Sequence, residues 1–327
     1  MERLYDKLKA YSESDFYAFH MPGHKRNKAL LGIELPYDLD ITEIDGFDDL
    51  HHADGILKEE QERAARVFGA EESHFLVNGS TAGILSAVMG CTHRGDKILV
   101  ARHCHKSIYH AIYMNGLVPR YVYPEFDISM HMNGEISKED VAKALAAEPD
   151  IKAVVIVSPN YDGVVSDVKG IAEVAHSYRI PLIVDEAHGP HFGFHPAFPG
   201  RANDLGADVV INSLHKTLPS LTQTAILHIN GKIVNRRRIK KYLDMLQSSS
   251  PSYIFMASLD ACVDFVDGKC ENAFELYVER LQKFREELKP LQHLQILRTE
   301  HYDISKVVIS TANANITSPE LAERLRK

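Results

Sequence analysis

The stretch AVVIVSPNYDGVVSDVKGIAEVAHSYRIPLIVDEAHG, residues 153–189, decides the fold. Ala153 to Val157 is a continuous apolar run, fit for a strand buried on both faces, and Leu182 to Val184 is another. Between them, Asp167 to Tyr178 has the apolar spacing of a helix. Strand, helix and strand in this order form a βαβ unit, whose two strands lie parallel with the crossover helix on one face.

The alternation continues outward in both directions. Upstream, Glu59 to Phe68 has helical composition and stops at Gly69, His74 to Val77 reads as a strand, and Asn78-Gly79-Ser80-Thr81 turns into an apolar helix, Ala82 to Met89. A strand follows at Ile98 to Ala101, a helix from Lys106 to Met114 ended by Gly116, and a strand at Arg120 to Tyr123. Ser137 and Asp140 form a capping-box pattern that opens a helix to Ala147, closed by Pro149. Downstream, Val209 to Asn212 and Ala225 to Ile229 add two strands. The pattern predicts an α/β fold: a mainly parallel sheet of six or seven strands with helices on both faces.

Beyond this sheet, Tyr253 to Val266 and Ala273 to Leu288 read as long helices, leading to strands at Leu294 to Leu297 and Val307 to Ser310. Ser318 as N-cap and Pro319 at the first helical position announce a last helix, which the chain's end at Lys327 cuts after barely two turns. Three regions are expected: an N-terminal segment, 1–50; a large domain, 51–250; and linking helices with the start of a small α+β domain, 251–327, that looks incomplete.

Composition narrows the function classes. The 327 residues are 45% hydrophobic and 25% charged, the balance of a folded soluble protein rather than a disordered or fibrous one. Lys and Arg number 37 against 45 Asp and Glu, a net charge of -8 that gives no broad reason to bind nucleic acid. The one basic run, Arg236, Arg237, Arg238, Lys240 and Lys241, reads as the solvated face of a helix. Met1 to Phe16 alternates charged and apolar residues, and nothing approaches the length of a membrane span, so a cytoplasmic location is expected. The cysteines, Cys91, Cys104, Cys262 and Cys270, show no metal or redox spacing and are expected to be reduced, with Cys104 a small buried residue.

Three features carry chemistry. Asn78-Gly79-Ser80-Thr81-Ala82-Gly83 joins a strand to a helix through small and hydroxyl residues, a turn that can cradle phosphate on a helix N-terminus but is by itself also an ordinary tight turn. Pro181 to Gly189 delivers Asp185 to the C-terminal end of a buried strand, where open α/β sheets bind ligands. That carboxylate can hold a cation, ligate a metal or accept a proton, or simply cap the following turn. Ser213-Leu214-His215-Lys216-Thr217-Leu218 places a lysine after another apolar strand, either on the surface or as a Schiff-base amine. Phosphate cup, acid and lysine together match the needs of pyridoxal 5'-phosphate: a helix N-terminus for its phosphate, an acid for its pyridine nitrogen and an amine for its aldehyde. His105, in His103-Cys104-His105-Lys106-Ser107, can supply a flat ring to stack on it.

The ordered set Met21-Pro22-Gly23-His24-Lys25, Asn78-Gly79-Ser80-Thr81, Cys104-His105-Lys106-Ser107, Asp185-Glu186-Ala187-His188 and Ser213 to Leu218 resembles the ornithine/lysine/arginine decarboxylases of the aspartate aminotransferase fold type. Ser158-Pro159-Asn160-Tyr161-Asp162-Gly163, Ser249-Ser250-Pro251-Ser252-Tyr253 and Met256-Ala257-Ser258-Leu259-Asp260 look like segments of its smaller bacterial members, the arginine decarboxylases among them. The resemblance implies decarboxylation of a basic amino acid to its amine and carbon dioxide, arginine ahead of lysine or ornithine, as in polyamine biosynthesis. It implies that Lys216 forms the Schiff base, Asp185 pairs with the ring nitrogen, His105 stacks on the ring and His188 sits beside it. Ser80, Thr81, Ala82, Ser213 and His215 would complete the cofactor site.

The resemblance also implies a homodimer or higher homo-oligomer. There the carboxylates Asp38, Asp40, Glu43, Asp45, Asp48 and Asp49, with Met21 to Lys25, would lie near the partner's site and favour a cationic substrate tail; the plainer reading is a solvated acidic loop. Two departures stand out: His103 where many relatives have Asn, and a chain shorter than relatives with a full C-terminal domain. The alternatives are a noncatalytic or truncated cofactor-binding homologue, another enzyme of the fold type such as an aminotransferase or lyase, and a metal site built from Asp185, His188, His191 and His195. Pro190 and Gly193 break any helix that would align the last two histidines.

Overall fold

The computed structural model describes residues 2–29, 31–128, 130–296 and 301–326. The chain opens with helix α1 (Leu4–Ser12) and, after a long irregular segment, α2 (Ile56–Val67). Strand β1 (Glu72–Leu76), α3 (Gly79–Cys91), β2 (Lys97–Ala101), α4 (Lys106–Asn115) and β3 (Val118–Val122) follow, then the small hairpin β4 (Phe126–Asp127) and β5 (Met132–Asn133). Next come α5 (Lys138–Ala147), β6 (Ile151–Val157), α6 (Val168–Ser177), β7 (Leu182–Asp185), β8 (Val209–Asn212), the single turn α7 (Leu214–Thr217) and β9 (Ala225–Ile229). Helices α8 (Arg236–Leu246), α9 (Tyr253–Val266) and α10 (Glu271–Leu288) lead to the two-residue strands β10 (Gln295–Ile296) and β11 (Ile309–Ser310) and to α11 (Ser318–Arg324).

Seven strands form one sheet in the order β1-β9-β8-β7-β6-β2-β3. The pairs β8–β7, β7–β6, β6–β2 and β2–β3 are parallel, and β9 runs antiparallel to both β8 and β1. The expected α/β architecture is therefore the observed one. The apolar runs are explained by burial on both faces: Ile98, Val100, Ile183, Val209 and Ile211 join α3, α4 and α8 in one layer, while Leu99, Val154, Ile156, Leu182 and Val184 join α5 and α6 in the other. Helices α3 and α8 touch closely enough that a Cβ on Gly90 would sit 2.6 Å from the Ile239 side chain. A third core, around Phe68, Phe75, Tyr253 and Met256, packs α1, α2, α9 and α10 against the edge of β1.

Several local expectations are corrected. Helix α3 starts at Gly79, not Ala82, so Ser80 and Thr81 form its first turn. Ser137 caps α5 by accepting the Asp140 N–H, but its hydroxyl donates to Glu139, so only half of the box forms. The last helix is capped by Thr317 in a full capping box with Glu320, which moves Ser318 to the first helical position. Strand β10 is shorter than expected, and Leu297, like Met1 and Lys327, lies outside the described residues. The basic run is not only a solvated face: Arg236 pairs with Glu71 and Glu72, and Arg238 donates to the Met89 and Thr92 carbonyls, tying α8 to β1 and to the end of α3.

The acidic segment is likewise not a free loop. Asp48 accepts the N–H groups of Asp49, Asp54, Gly55 and Leu57, closing the start of α2, and Asp49 caps the turn that follows it. Asp38 pairs with Lys28 at 2.9 Å and Asp40 with His24 at 3.2 Å. These four carboxylates are occupied within the chain.

Candidate active site

Strand β1 points the same way as β8, because each is antiparallel to β9, so the sheet presents the C-terminal ends of β1, β2, β6, β7 and β8 on one edge. Neighbours β3 and β6 flank β2 on opposite sides, the switch in strand order at which such sheets open a crevice. A cleft of about 330 Å³ lies there. Gly79, Ser80 and Thr81 line it from the start of α3, His103 and His105 from the turn after β2, and Val157 and Tyr161 from the turn after β6. Asp185, Ala187 and His188 come from β7 and its turn, and Ser213, His215 and Lys216 from β8 and α7. Of the residues expected to hold the cofactor, only Ala82 is absent from the lining: as the fourth residue of α3 its side chain turns into the core.

One end of the cleft offers donors that an anion could use. Gly79 takes a φ of +73°, which a residue with a Cβ rarely adopts, and this bend aims the first turn of α3 at the cleft. Asn78 does not cap that turn; its side-chain oxygen accepts the Ser248 N–H instead, leaving the leading N–H groups without a side-chain acceptor. The hydroxyls of Ser80 and Ser213 hydrogen-bond to each other across the turn. His215 donates from Nδ1 to the Thr224 carbonyl at 2.9 Å, which leaves Nε2 for a second partner.

The other end holds the acid and the amine. Asp185 follows Ile183 in the strand alternation and so shares its face, the one covered by α3 and α4. Its carboxyl is buried and accepts one hydrogen bond, from Ala187 N–H at 3.1 Å. Burial pushes its pKa up to about 6, against the opposing pull of that N–H and of the Lys216 charge. Lys216 Nζ lies 3.0 Å from His188 Nε2. Burial, with the Lys216 and Lys306 ammoniums adding to it, drives His188 down to about 3, so its ring is neutral and accepts from the amine. Lys216 is itself lowered by burial and by Lys306, while Asp185 opposes both.

His105 is the N-cap of α4, and its Nδ1 takes the Ser107 hydroxyl at 2.8 Å and the Ser107 N–H at 3.3 Å. Burial and the Lys216 charge lower its pKa, leaving a neutral ring of fixed orientation. The histidine-rich segment after β7 is divided among different partners. His191 lies between Thr217 and Asp303 at 3.1 Å each, and His195 meets Glu275 at 2.9 Å. Among the described residues no group of three or more potential ligands is placed to hold a metal. Cys104 is buried and its thiol is pushed up to about 11, as expected of a packing residue.

The lining adds residues that sequence reasoning did not assign. Tyr161 is 81% exposed at the mouth, and its ring makes a T-shaped contact with His188, with centroids 5.6 Å apart. His103 has a buried Nδ1 with no partner among the described residues. Tyr161 sits in a motif that the sequence does display, whereas Lys306, which bears electrostatically on both Lys216 and His188, comes from a distant loop with no local signal.

Comparison with known proteins bears on the family and the fold. An uncharacterised protein of Bacillus subtilis, YaaO, is 42% identical over 80% of this chain and 56% of its own length. The arginine decarboxylase of the same organism is 34% identical over 99% of this chain and 69% of its own length. Among solved structures, the constitutive lysine decarboxylase of Escherichia coli superposes with a TM-score of 0.78 at 24% identity, covering 90% of this chain and 46% of the larger one, a likeness of fold. The chain thus spans about half to two-thirds of the length of these relatives. Residues 3–313 match the family described as the Orn/Lys/Arg decarboxylase major domain, and the chain belongs to that family.

Proposed function

We propose that this chain carries the catalytic centre of a pyridoxal 5'-phosphate-dependent decarboxylase of basic amino acids, with arginine as the first substrate. The observation that carries the reading is the convergence of Lys216, Asp185 and the uncapped start of α3 on one cleft from three different strand ends. The donor set fits the cofactor handle by handle. Ser80, Thr81, Ser213 and His215 with the α3 N-terminus would hold the phosphate, and Asp185 lacks a cationic N–H partner of the kind a pyridinium offers. His105 presents a neutral flat ring and Lys216 a partly desolvated amine.

When bound, the cofactor supplies an electron sink for the pair left behind as the carboxylate departs. The chain's own residues then divide the work. Asp185 as carboxylate keeps a proton on the ring nitrogen, His105 fixes the ring plane, and the hydroxyl cup fixes its far end. Lys216 Nζ, held 3.0 Å from His188 Nε2, would hold the cofactor's aldehyde carbon, and Lys216 or a nearby histidine would supply the proton to the substrate carbon that loses carbon dioxide. One C–C bond breaks, one C–H bond forms, and the products are an amine and carbon dioxide. Arginine is favoured because the Bacillus arginine decarboxylases align over nearly the entire chain, whereas the lysine decarboxylases align over less of it and at lower identity.

A homodimer is part of the proposal, supported by the run Phe16, Tyr17, Phe19 and Met21, which lies exposed on the N-terminal segment. The test is an absorption spectrum of the chain with pyridoxal 5'-phosphate, followed by carbon dioxide release from arginine, lysine and ornithine. A yellow band that shifts with one amino acid, accompanied by gas release, is expected. A band without release would make the chain a cofactor binder rather than a decarboxylase.

A further inference from the structure

Lys216 borders two cavities. On its far side from the phosphate cup lies a second space of about 600 Å³, walled by Phe265, Phe274 and Tyr277 and closed by the loop that carries Ser305 and Lys306. Among the described residues no carboxylate lines this space, and none forms an ion pair with Lys306. The two side chains therefore share an aromatic-walled cavity whose described lining holds no carboxylate.

The loop is held firmly. Asp303 is fully buried; its carboxylate accepts from His191 Nε2 at 3.1 Å and from the Ser305 N–H and hydroxyl, while its own N–H donates to Gly163 O at 2.8 Å. His191 reaches from Asp303 to Thr217, the neighbour of Lys216, so one buried imidazole links the loop to the turn that bears the amine. Arg285 donates to the carbonyls of Ile304 and Lys306. The Lys306 stem lies over Gly163, where a Cβ would come within 2.7 Å of it, and Gly163 has a φ of +95°. Glycine there leaves the stem its path beside the cleft.

We propose that Lys306 is a substrate-recognition residue, its ammonium receiving the α-carboxylate of the amino acid on the side of Lys216 away from the phosphate cup. The inference rests on the amino-acid decarboxylase reading above and names the group that recognises the end of the substrate common to arginine, lysine and ornithine. A lysine held at a cavity wall can give a carboxylate a charge-assisted hydrogen bond, which is stronger than a neutral one. Lys306 lines the same cavity as Lys216, and its charge opposes the ionised forms of Lys216 and His188. Decarboxylation moves the carboxylate's charge toward the ring, so Lys306 stabilises the bound ground state at least as well as the transition state. Its removal should therefore raise KM without lowering kcat in proportion.

The test uses the full chain loaded with pyridoxal 5'-phosphate, with Lys306→Met and Lys306→Arg variants. Cofactor affinity and the yellow band should be unchanged in Lys306→Met, which also reports that the variant is folded. Its spectral response to the best basic amino acid should require a concentration roughly ten- to a hundredfold higher, while the response to the corresponding amine, which lacks the carboxylate, stays as in the parent. Lys306→Arg should restore most of the amino-acid response. Equal weakening toward amino acid and amine, or no weakening toward the amino acid, would overturn the assignment of Lys306. If the parent chain binds the cofactor yet responds to no basic amino acid, the decarboxylase reading fails and takes this inference with it.

Discussion

At the residue scale, the two groups whose ionisation matters most are set by burial and by each other. Lys216→Ala should abolish the yellow absorption on adding pyridoxal 5'-phosphate, since among the described residues no other lysine lines the cleft; an undiminished band would displace Lys216 from its role. Asp185 makes a prediction about pH. Its folded pKa, about 6, lies above the usual carboxyl value of 3.8, so in the cofactor-free chain it favours folding at low pH and loses that contribution as pH rises through 6. Cofactor affinity runs the opposite way, weakening below about pH 6 as the carboxylate that attracts the pyridinium is protonated. A fluorescence titration across pH 5 to 8 checks the slope, and Asp185→Asn should bind weakly throughout and lack it. Both residues were legible from their places after apolar strands. The hydrogen bond between Lys216 and His188 was not, because side-chain direction around a four-residue turn depends on what packs beneath it.

At the element scale, the N-terminal segment shows how local chemistry is absorbed into tertiary structure. One carboxylate, Asp48, serves four backbone donors ahead of α2, so Asp48→Ala should cost about 2 kcal/mol in a denaturant titration, the upper end for a lost helix cap. Between α2 and α9 lies a buried cluster in which Arg63 is shared by Glu60, Asp260 and Asp264. Burial and the nearby Asp260 carboxylate push Glu60 up to about 8, with Arg63 opposing. The folded chain thus holds a proton that the unfolded chain releases near 4.5, and its stability should fall as pH rises from there through 8. Glu60→Gln should flatten that decline, read as Tm against pH; an unaltered slope would remove Glu60 as its source. The strands and long helices were visible as apolar periodicities, because burial on one or two faces writes itself directly into composition. The carboxylate caps were not, since Asp48 stands seven residues before Gly55 and only the folded turn brings them together.

At the scale of the whole molecule, one sheet edge gathers groups spread from Gly79 to Lys216, and a ligand that bridges them should tie the layers together. Pyridoxal 5'-phosphate at a hundred times its dissociation constant should add about 2.7 kcal/mol of stability, seen as a rise in Tm that Lys216→Ala diminishes. By itself the sequence determined the α/β class, the parallel sheet and the identity of the chemical groups, because strand burial and βαβ handedness leave few topologies and because lysine, acid and phosphate turn each follow a strand. Only the tertiary structure decided that these turns open on the same edge, that four carboxylates of the acidic segment serve as caps and ion pairs, and that a loop about ninety residues after Lys216 returns Lys306 to its side. The physical reason is range. Periodicity and capping act over one or two turns, whereas a site is made of contacts between segments whose separation along the chain leaves no trace in either.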